Sequence, residues 1–161
     1  MPLEGEYEPS AAQWVREQVE RYEASGGREA NTLRDTGLPI AIFWTRGVKS
    51  GKVRKNALMR VEKDGAYLMV GSKGGAPEDP AWVANVRAAP DQVTVQDGAE
   101  PWDGVAREIS GAEKAEWWER AVAAFPPYAD YQKRTDRQIP VFLIERADDA
   151  GRGGARRNVG G

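Results

Sequence analysis

Short strand patterns joined by Asp-Gly turns constrain the fold of this chain more than any other feature. Asp64-Gly65 and Asp97-Gly98 each lie between two such patterns. Asp64-Gly65 predicts a two-residue β-hairpin because both positions tolerate positive φ, and the patterns on either side of Asp97-Gly98 predict a second antiparallel pair. No strand–helix–strand alternation of the parallel kind is present, so an antiparallel sheet is expected. The strand patterns lie at residues 37–45, 53–62, 66–71, 93–96, 102–109 and 139–145.

Helical patterns interrupt these strands, so the sequence predicts an α+β domain built on a small sheet or barrel. Ser10 and Asp79-Pro80 carry residues typical of helix starts, and Ser110 with Glu113 has the spacing of a capping box. The predicted helices cover residues 11–25, 81–88, 110–124 and 128–134. We expect a flexible N-terminus over residues 1–10, one domain over 11–147, and a disordered Gly/Arg-rich tail over 148–161.

The composition limits the chemistry, because the 161 residues include no His and no Cys. This excludes a Ser-His-Asp hydrolase, a cysteine enzyme and a conventional zinc enzyme. Carboxylate, Lys or Tyr chemistry remains, as does an oxygen-ligated metal or an organic cofactor. No apolar run is long enough to span a membrane, and the N-terminus lacks the pattern of a signal peptide, so a cytoplasmic protein is expected.

Positive charge is concentrated in one stretch of this mildly acidic chain. Residues 46–60 hold six basic residues and no acidic one, while the whole chain has a net charge of −2. Gly47 and Gly51 permit a turn that directs backbone N–H groups at an anion, and Lys49, Lys52 and Arg54 add charge. The spacing is not that of a Walker A loop. A bound polyanion is one interpretation, and an exposed hairpin loop with solvated lysines is the other.

Two further elements offer contacts to a flat ligand. The turn over residues 71–75 follows a strand pattern, and Ser72 and Lys73 supply hydrogen-bond donors there. Tyr128 and Tyr131 are three residues apart and would share a helix face, where a phenol can donate a proton or stack on a ring. Alternatively, the turn is a plain connector and the tyrosines are core residues.

In this order and spacing, the three elements resemble the deazaflavin-dependent nitroreductase and quinone reductase family. The likeness runs from about residue 36 to residue 146. The stretches that carry it are Thr45–Arg54, Gly71–Ala76 with Asp79–Trp82 and Asn85, and Tyr128–Gln132 with Arg134–Pro140. The resemblance implies a split β-barrel that binds coenzyme F420, a polyanion with a flat ring, a phosphate and an oligoglutamate tail.

The resemblance also implies roles for individual residues. The phosphate and tail would be held by Lys49, Ser50, Gly51 and Arg54, and the rest of the cofactor by Asn56, Ser72, Lys73, Gly74, Gly75, Trp82 and Asn85. Phe125, Tyr128 and Tyr131 would cover the substrate side of the ring, and Tyr131, Tyr128, Ser72 or water would supply a proton. Val48 and Phe125 stand where the family often has Arg and Tyr, so one tail contact and one phenol are missing.

The implied function is hydride transfer from reduced coenzyme F420 to a quinone, nitroaromatic or activated enone, without a metal. An FMN-binding split-barrel oxidoreductase and a non-catalytic deazaflavin carrier are the alternatives. The partner would be a small-molecule acceptor rather than nucleic acid, and the protein a monomer or homodimer. A lipid quinone acceptor would place the protein at a membrane surface without a transmembrane span.

Overall fold

The computed structural model describes residues 3–33 and 36–147, and the predicted tail over residues 148–161 lies outside them. The described residues form four α-helices and seven β-strands. The helices are α1 (Gln13–Ala24), α2 (Ala81–Ala88), α3 (Gly111–Ala124) and α4 (Pro127–Lys133). The strands are β1 (Ile40–Arg46), β2 (Val53–Met59), β3 (Glu62–Lys63), β4 (Ala66–Val70), β5 (Val93–Gln96), β6 (Pro101–Glu108) and β7 (Val141–Arg146).

All seven strands belong to one antiparallel sheet with the order β2-β1-β5-β6-β7-β4-β3. Its two outermost strands, β2 and β3, are separated along the chain by Arg60 and Val61 alone. The sheet therefore curls until its edges are joined by one continuous segment, which makes it a split barrel. The Asp64-Gly65 hairpin is confirmed, since φ is 53° at Asp64 and 84° at Gly65.

Successive strand residues alternate between two hydrophobic cores, as the period of two in a β-strand requires. Ala41 and Phe43 of β1 face the barrel interior together with Trp82, Val83, Val86 and residues of β4, β5 and β7. Ile40 and Ile42 face the opposite side, which α1, α3 and α4 cover. Strands β1, β4 and β7 are thus apolar on both faces over most of their length, because each face is buried.

The predicted helix starts are wrong in their details. The N-cap positions of α1 and α2 are Ala12 and Pro80 rather than Ser10 and Asp79, and no side chain caps either helix. Ser10 Oγ accepts a hydrogen bond from Ala12 N at 3.2 Å, before the helix begins, and the Asp79 carboxylate bonds to Arg137 instead.

The start of α3 also differs from its prediction. Ser110 occupies the N-cap position of α3, but no side chain bonds to the first N–H groups of that helix. Glu113 instead accepts two hydrogen bonds from Arg107, at 2.7 and 2.9 Å. A bidentate bond to guanidinium replaces the capping bond, because a charge-assisted pair is the stronger interaction.

Residues 4–8, which we call the acidic strap, lie against the sheet although residues 1–10 are predicted to be flexible. Tyr7 forms a parallel bridge with Val53, where Glu8 N donates to Val53 O at 2.9 Å and Val53 N donates to Glu6 O at 2.8 Å. These bonds satisfy backbone groups at the open edge of β2. The segment is therefore an added strand at its point of contact.

Candidate functional site at one end of the barrel

Two turns leave the same end of the barrel. Because four antiparallel steps separate β1 from β4 in the sheet, these strands run in the same direction and end on the same side. Residues 46–52, the basic turn, follow β1, and residues 71–79, the glycine loop, follow β4. Both predicted cofactor-binding segments are thereby placed at one edge of the fold.

The glycine loop is fixed by the guanidinium group of Arg137. Its Nη1 donates to Gly71 O at 3.0 Å and to the Asp79 carboxylate at 2.8 Å, while Nη2 donates to Ser72 O at 2.7 Å and Nε to Ala76 O at 2.8 Å. Only 15% of the Arg137 side chain is exposed, so these charge-assisted bonds are shielded from water. Arg137 sets the path of the loop and, with it, the position of the Ser72 side chain.

The backbone of the loop adopts an uncommon conformation against α4. Lys73, Gly74 and Gly75 have φ values of 47°, 63° and 82°, and for Lys73 this left-handed conformation costs roughly 1–2 kcal/mol. A Cβ atom at Gly75 would lie 2.7 Å from Tyr131 O, whereas one at Gly74 would meet nothing within 4 Å. Gly75 therefore permits close packing on α4, and Gly74 borders open space.

Asn85 of α2 connects the helix to the basic turn. Its Nδ2 donates to Thr45 Oγ1 at 3.0 Å, and its Oδ1 accepts a hydrogen bond from Val48 N at 3.1 Å. Arg46 donates to Gln92 Oε1 at 3.1 Å, beyond the other end of α2. Since Asn85 is 7% exposed, the structure gives it a supporting position beneath the basic turn.

The six basic residues of the stretch 46–60 are mostly matched by partners from other elements. Four of them form ion pairs and Arg46 bonds to neutral groups, while Lys49 is exposed and has no partner among the residues that the structure describes. The pairs are Lys52–Glu6 (2.7 Å), Arg54–Glu8 (3.2 Å), Lys55–Glu23 (2.7 Å) and Arg60–Asp97 (2.6 Å). The hydrogen bond from Lys52 lowers the pKa of the Glu6 carboxyl group.

The alternation along β2 separates its cations by face. Arg54 pairs with Thr45 and Asn56 with Phe43, so both lie on the face that carries the barrel interior. Lys55 lies on the opposite face, with Nζ 4.1 Å from the centroid of the Trp44 ring. Arg54 and Asn56 therefore share the interior face of β2, and Lys55 belongs to the packing under α1.

The predicted aromatic cluster is assembled on α4 and the end of α3. Phe125, Tyr128 and Tyr131 have ring centroids 5.0 to 6.2 Å apart. Tyr128 is 4% exposed and its burial raises the pKa of the phenol, so it stays protonated at neutral pH. Tyr131 is half-buried, with the Arg134 guanidinium carbon 5.3 Å from its ring centroid. Tyr131 is the more accessible of the two phenols.

Trp82 lies away from this surface. It is 4% exposed and packs edge-on against Phe142 in the barrel interior, with ring centroids 5.8 Å apart. Its predicted contact with the cofactor stays a prediction, and the structure gives it a core position beneath the glycine loop. Among the described residues there is no group of His, Cys, Asp or Glu side chains suited to a metal ion.

Three contributors to the site are missing from the sequence-based residue set: Arg137, Glu6 and Glu8. Arg137 lies within the stretch 134–140 that carries the family resemblance, and that context was the signal available for it. The two glutamates lie in a segment with no strand pattern, so their sequence gave no signal of contact with the basic turn.

A split barrel with a basic turn and a glycine loop at one end is the arrangement that the sequence resemblance implies for a small deazaflavin-dependent reductase. Its residues 14–146 match the profile of the F420H(2)-dependent quinone reductase family. The chain belongs to that family. The resemblance read from the sequence, with its fold, its coenzyme and its class of reaction, is confirmed at the level of the family.

Individual relatives agree with this assignment. The chain is 30% identical to an F420H(2)-dependent quinone reductase of Mycobacterium tuberculosis (strain ATCC 25618 / H37Rv) over 78% of its length and 85% of the relative. A solved structure described as an F420-H2 dependent reductase is 56% identical, covers 66% of this chain and 94% of its own, and has a TM-score of 0.63. Another, described as a domain-swapped dimer, is 51% identical, covers 84% of this chain and 100% of its own, and has a TM-score of 0.65.

The donor set at this end of the barrel fits a coenzyme with a flat head and an anionic tail. Lys49 and Arg54 offer positive charge at the basic turn, and Asn56 offers an amide on the same face as Arg54. The glycine loop borders open space at Gly74 and packs on the helix that carries the aromatic cluster. No helix of the described residues is long and apolar enough to cross a bilayer.

Proposed function

We propose that this protein is a reductase that uses reduced coenzyme F420 to reduce an electron-poor acceptor such as a quinone, a nitroaromatic or an activated enone. The observation that carries the proposal is the family match over residues 14–146, which includes both turns and the aromatic cluster. The fold supports it, since the sheet topology brings these separate segments to one region. Bound there, the coenzyme would supply the hydride.

The residues of the chain would bind the coenzyme, orient its ring and keep water away from the acceptor. Lys49, Ser50, Gly51 and Arg54 would hold the phosphate and tail, by charge and by backbone N–H groups. The loop over Ser72, Lys73, Gly74 and Gly75 would orient the ring, with Asn56 beside it and with Asn85 and Trp82 as supports beneath. Phe125, Tyr128 and Tyr131 would exclude water from the acceptor side.

The acceptor also needs a proton, and Tyr131 is the residue best suited to donate it. It is half-buried, whereas Tyr128 is almost fully covered and its phenol is made a weaker acid by burial. Ser72 is 8% exposed, and an alcohol is a much weaker acid than a phenol. We assign Tyr131 as the donor, with Tyr128 and Ser72 as hydrogen-bonding neighbours of the acceptor.

The experiment that tests this function is a parallel titration of the protein with oxidised coenzyme F420 and with FMN, followed by fluorescence quenching. We expect F420 to bind more tightly, because its longer anionic tail can use more of the basic turn. Anaerobic mixing with reduced F420 and a panel of quinones and nitroaromatics should then oxidise the coenzyme. Tighter FMN binding would favour the FMN-dependent alternative, and tight F420 binding without oxidation would favour a carrier.

We also propose that the protein forms a homodimer. The support is the 51% identical relative whose structure is described as a domain-swapped dimer. Light scattering on the purified protein distinguishes a dimer from the 17.7 kDa monomer. A mass near 17.7 kDa at micromolar concentration would contradict this part of the proposal.

A further inference from the structure

We propose that Glu6 and Glu8 of the acidic strap are specificity-determining residues for the anionic part of the coenzyme. Their carboxylates occupy cations that the phosphate and oligoglutamate tail would otherwise bind, so a bound tail must displace them. The inference rests on the proposed function. It adds that two carboxylates of the protein compete with the coenzyme's tail for the same cations.

The contacts of Glu8 fall on two predicted tail-binding residues, and Glu6 pairs with a neighbouring cation of the basic turn. The Glu8 carboxylate lies 3.2 Å from Arg54 Nη1 and accepts a hydrogen bond from Ser50 Oγ, also at 3.2 Å. Glu6 lies 2.7 Å from Lys52 Nζ. Two strap carboxylates therefore pair with two cations of the basic stretch, and one of them also accepts a hydrogen bond from Ser50.

The strap presents two glutamate carboxylates on one side of an extended segment. Alternate residues of an extended chain point to one side, so Glu6 and Glu8 share a side and Tyr7 points away. Tyr7 lies under Lys55, with Nζ 4.6 Å from its ring centroid. The basic turn thus already binds a short run of glutamate carboxylates, which is the functional group of the coenzyme's tail.

These ion pairs are weak enough to exchange. The side chains of Glu6 and Lys52 are 69% and 43% exposed, and those of Glu8 and Arg54 are 40% and 36% exposed. Water and salt screen such exposed pairs. The strap backbone is held separately by its bonds to Val53 and by Leu3 N donating to Thr94 Oγ1 at 3.0 Å. The carboxylates can therefore swing aside while the strap stays in place.

This arrangement makes the strap a filter on ligand charge. A ligand with several negative charges gains the cations that it takes from Glu6 and Glu8, whereas a neutral ring system gains nothing from displacing them. Lys49 has no partner among the described residues and is available for the first contact. Removing the strap charges should strengthen binding in proportion to the ligand's own negative charge.

The test compares the parent with Glu6→Gln/Glu8→Gln. The probes are coenzyme F420 with its oligoglutamate tail and the deazaflavin head group without phosphate and tail. We expect the variant to bind the tailed coenzyme about three- to tenfold more tightly at low ionic strength, since exposed pairs of this kind are individually weak. Affinity for the head group should not change, and the gain should shrink as salt is raised.

The matched control is Glu17→Gln/Glu116→Gln, which changes the net charge equally at two exposed positions outside the strap. Glu17 accepts a hydrogen bond from Gln13 at 2.8 Å, and neither carboxylate pairs with a basic residue within the described chain. We expect less than a twofold effect. An unchanged affinity of Glu6→Gln/Glu8→Gln for the tailed coenzyme, or an equal gain for the head group, would overturn the inference while leaving the function intact. A parent that binds neither probe would overturn both.

Discussion

The glycine loop and the basic turn leave the same end of the barrel, yet different interactions hold them. The glycine loop is fixed by four hydrogen bonds from the shielded guanidinium of Arg137 and by close packing of Gly75 on α4. At the basic turn and the start of β2, Lys52 and Arg54 are held instead by exposed pairs with the acidic strap. The first region is preorganised for a rigid ring, and the second can adapt to a flexible anion.

Replacing Arg137 should have the largest effect if the glycine loop is the preorganised region. Arg137→Ala removes four hydrogen bonds and leaves Asp79 without this partner, so we expect a loss of about 3 kcal/mol in the free energy of unfolding. Denaturant unfolding measures this loss. Affinity for the coenzyme should fall at least tenfold as the loop loses its shape.

The control for this prediction is Arg134→Ala. Arg134 reaches Gly74 O only at 3.5 Å and is exposed, so its loss should cost less than about 1 kcal/mol. Equal effects of the two substitutions would show that Arg137 stabilises the loop no more than Arg134 does.

If the reaction takes place beside the glycine loop, Tyr131→Phe should slow it. A positioned proton donor accelerates such reactions by about 10²-fold or more, so kcat should fall by about that factor while the Kd for the coenzyme stays nearly constant. Stopped-flow oxidation of the reduced coenzyme measures both. Tyr128→Phe is the matched variant and should have a smaller effect, because Tyr128 is only 4% exposed. Unchanged turnover of Tyr131→Phe would remove this residue from the reaction.

Two adjacent glycines test how closely the loop depends on α4. At Gly75 a Cβ would lie 2.7 Å from Tyr131 O and φ is 82°, so Gly75→Ala should cost about 2–3 kcal/mol. Gly74→Ala has the same type of φ but open space, and should cost about 1 kcal/mol. Thermal unfolding of both variants separates the contact from the backbone strain. Similar costs would mean that contact with α4 does not matter.

The smallest effect, on coenzyme affinity, is expected for a substitution in the basic turn. Lys49→Ala removes the exposed cation of the basic turn and should weaken coenzyme binding by about 1 kcal/mol, with a smaller effect at high salt. Lys63→Ala is the control, since Lys63 is also exposed but lies on β3 at the Asp64-Gly65 hairpin. Equal affinities of Lys49→Ala and the parent would place the anion away from this turn.

Local features of the fold could be predicted from the sequence because their causes are local. The Asp64-Gly65 hairpin depends on two adjacent residues, and the helix predicted over residues 81–88 has those bounds in the structure. The family resemblance depends on spacing within three short stretches. These signals need no knowledge of the three-dimensional pairing.

The non-local parts of the site could not be predicted in this way. The sequence shows concentrated charge at residues 46–60, but the compensating carboxylates come from the strap, α1 and the turn after β5. Arg137 bonds to groups 58 to 66 residues earlier in the chain. Such pairs form only in space, so counting charge along the chain overstated how much of it is available to a ligand.

The position of β7 in the sheet also has a consequence for synthesis. This strand, residues 141–146, lies between β6 and β4, near the centre of the strand order rather than at its edge. A ribosome-bound chain therefore cannot complete the barrel until that strand has emerged, although the other six strands are already available. Arg137 emerges only shortly before it. We expect a nascent chain to hold open sheet edges until β7 has emerged and to acquire coenzyme affinity abruptly at that point.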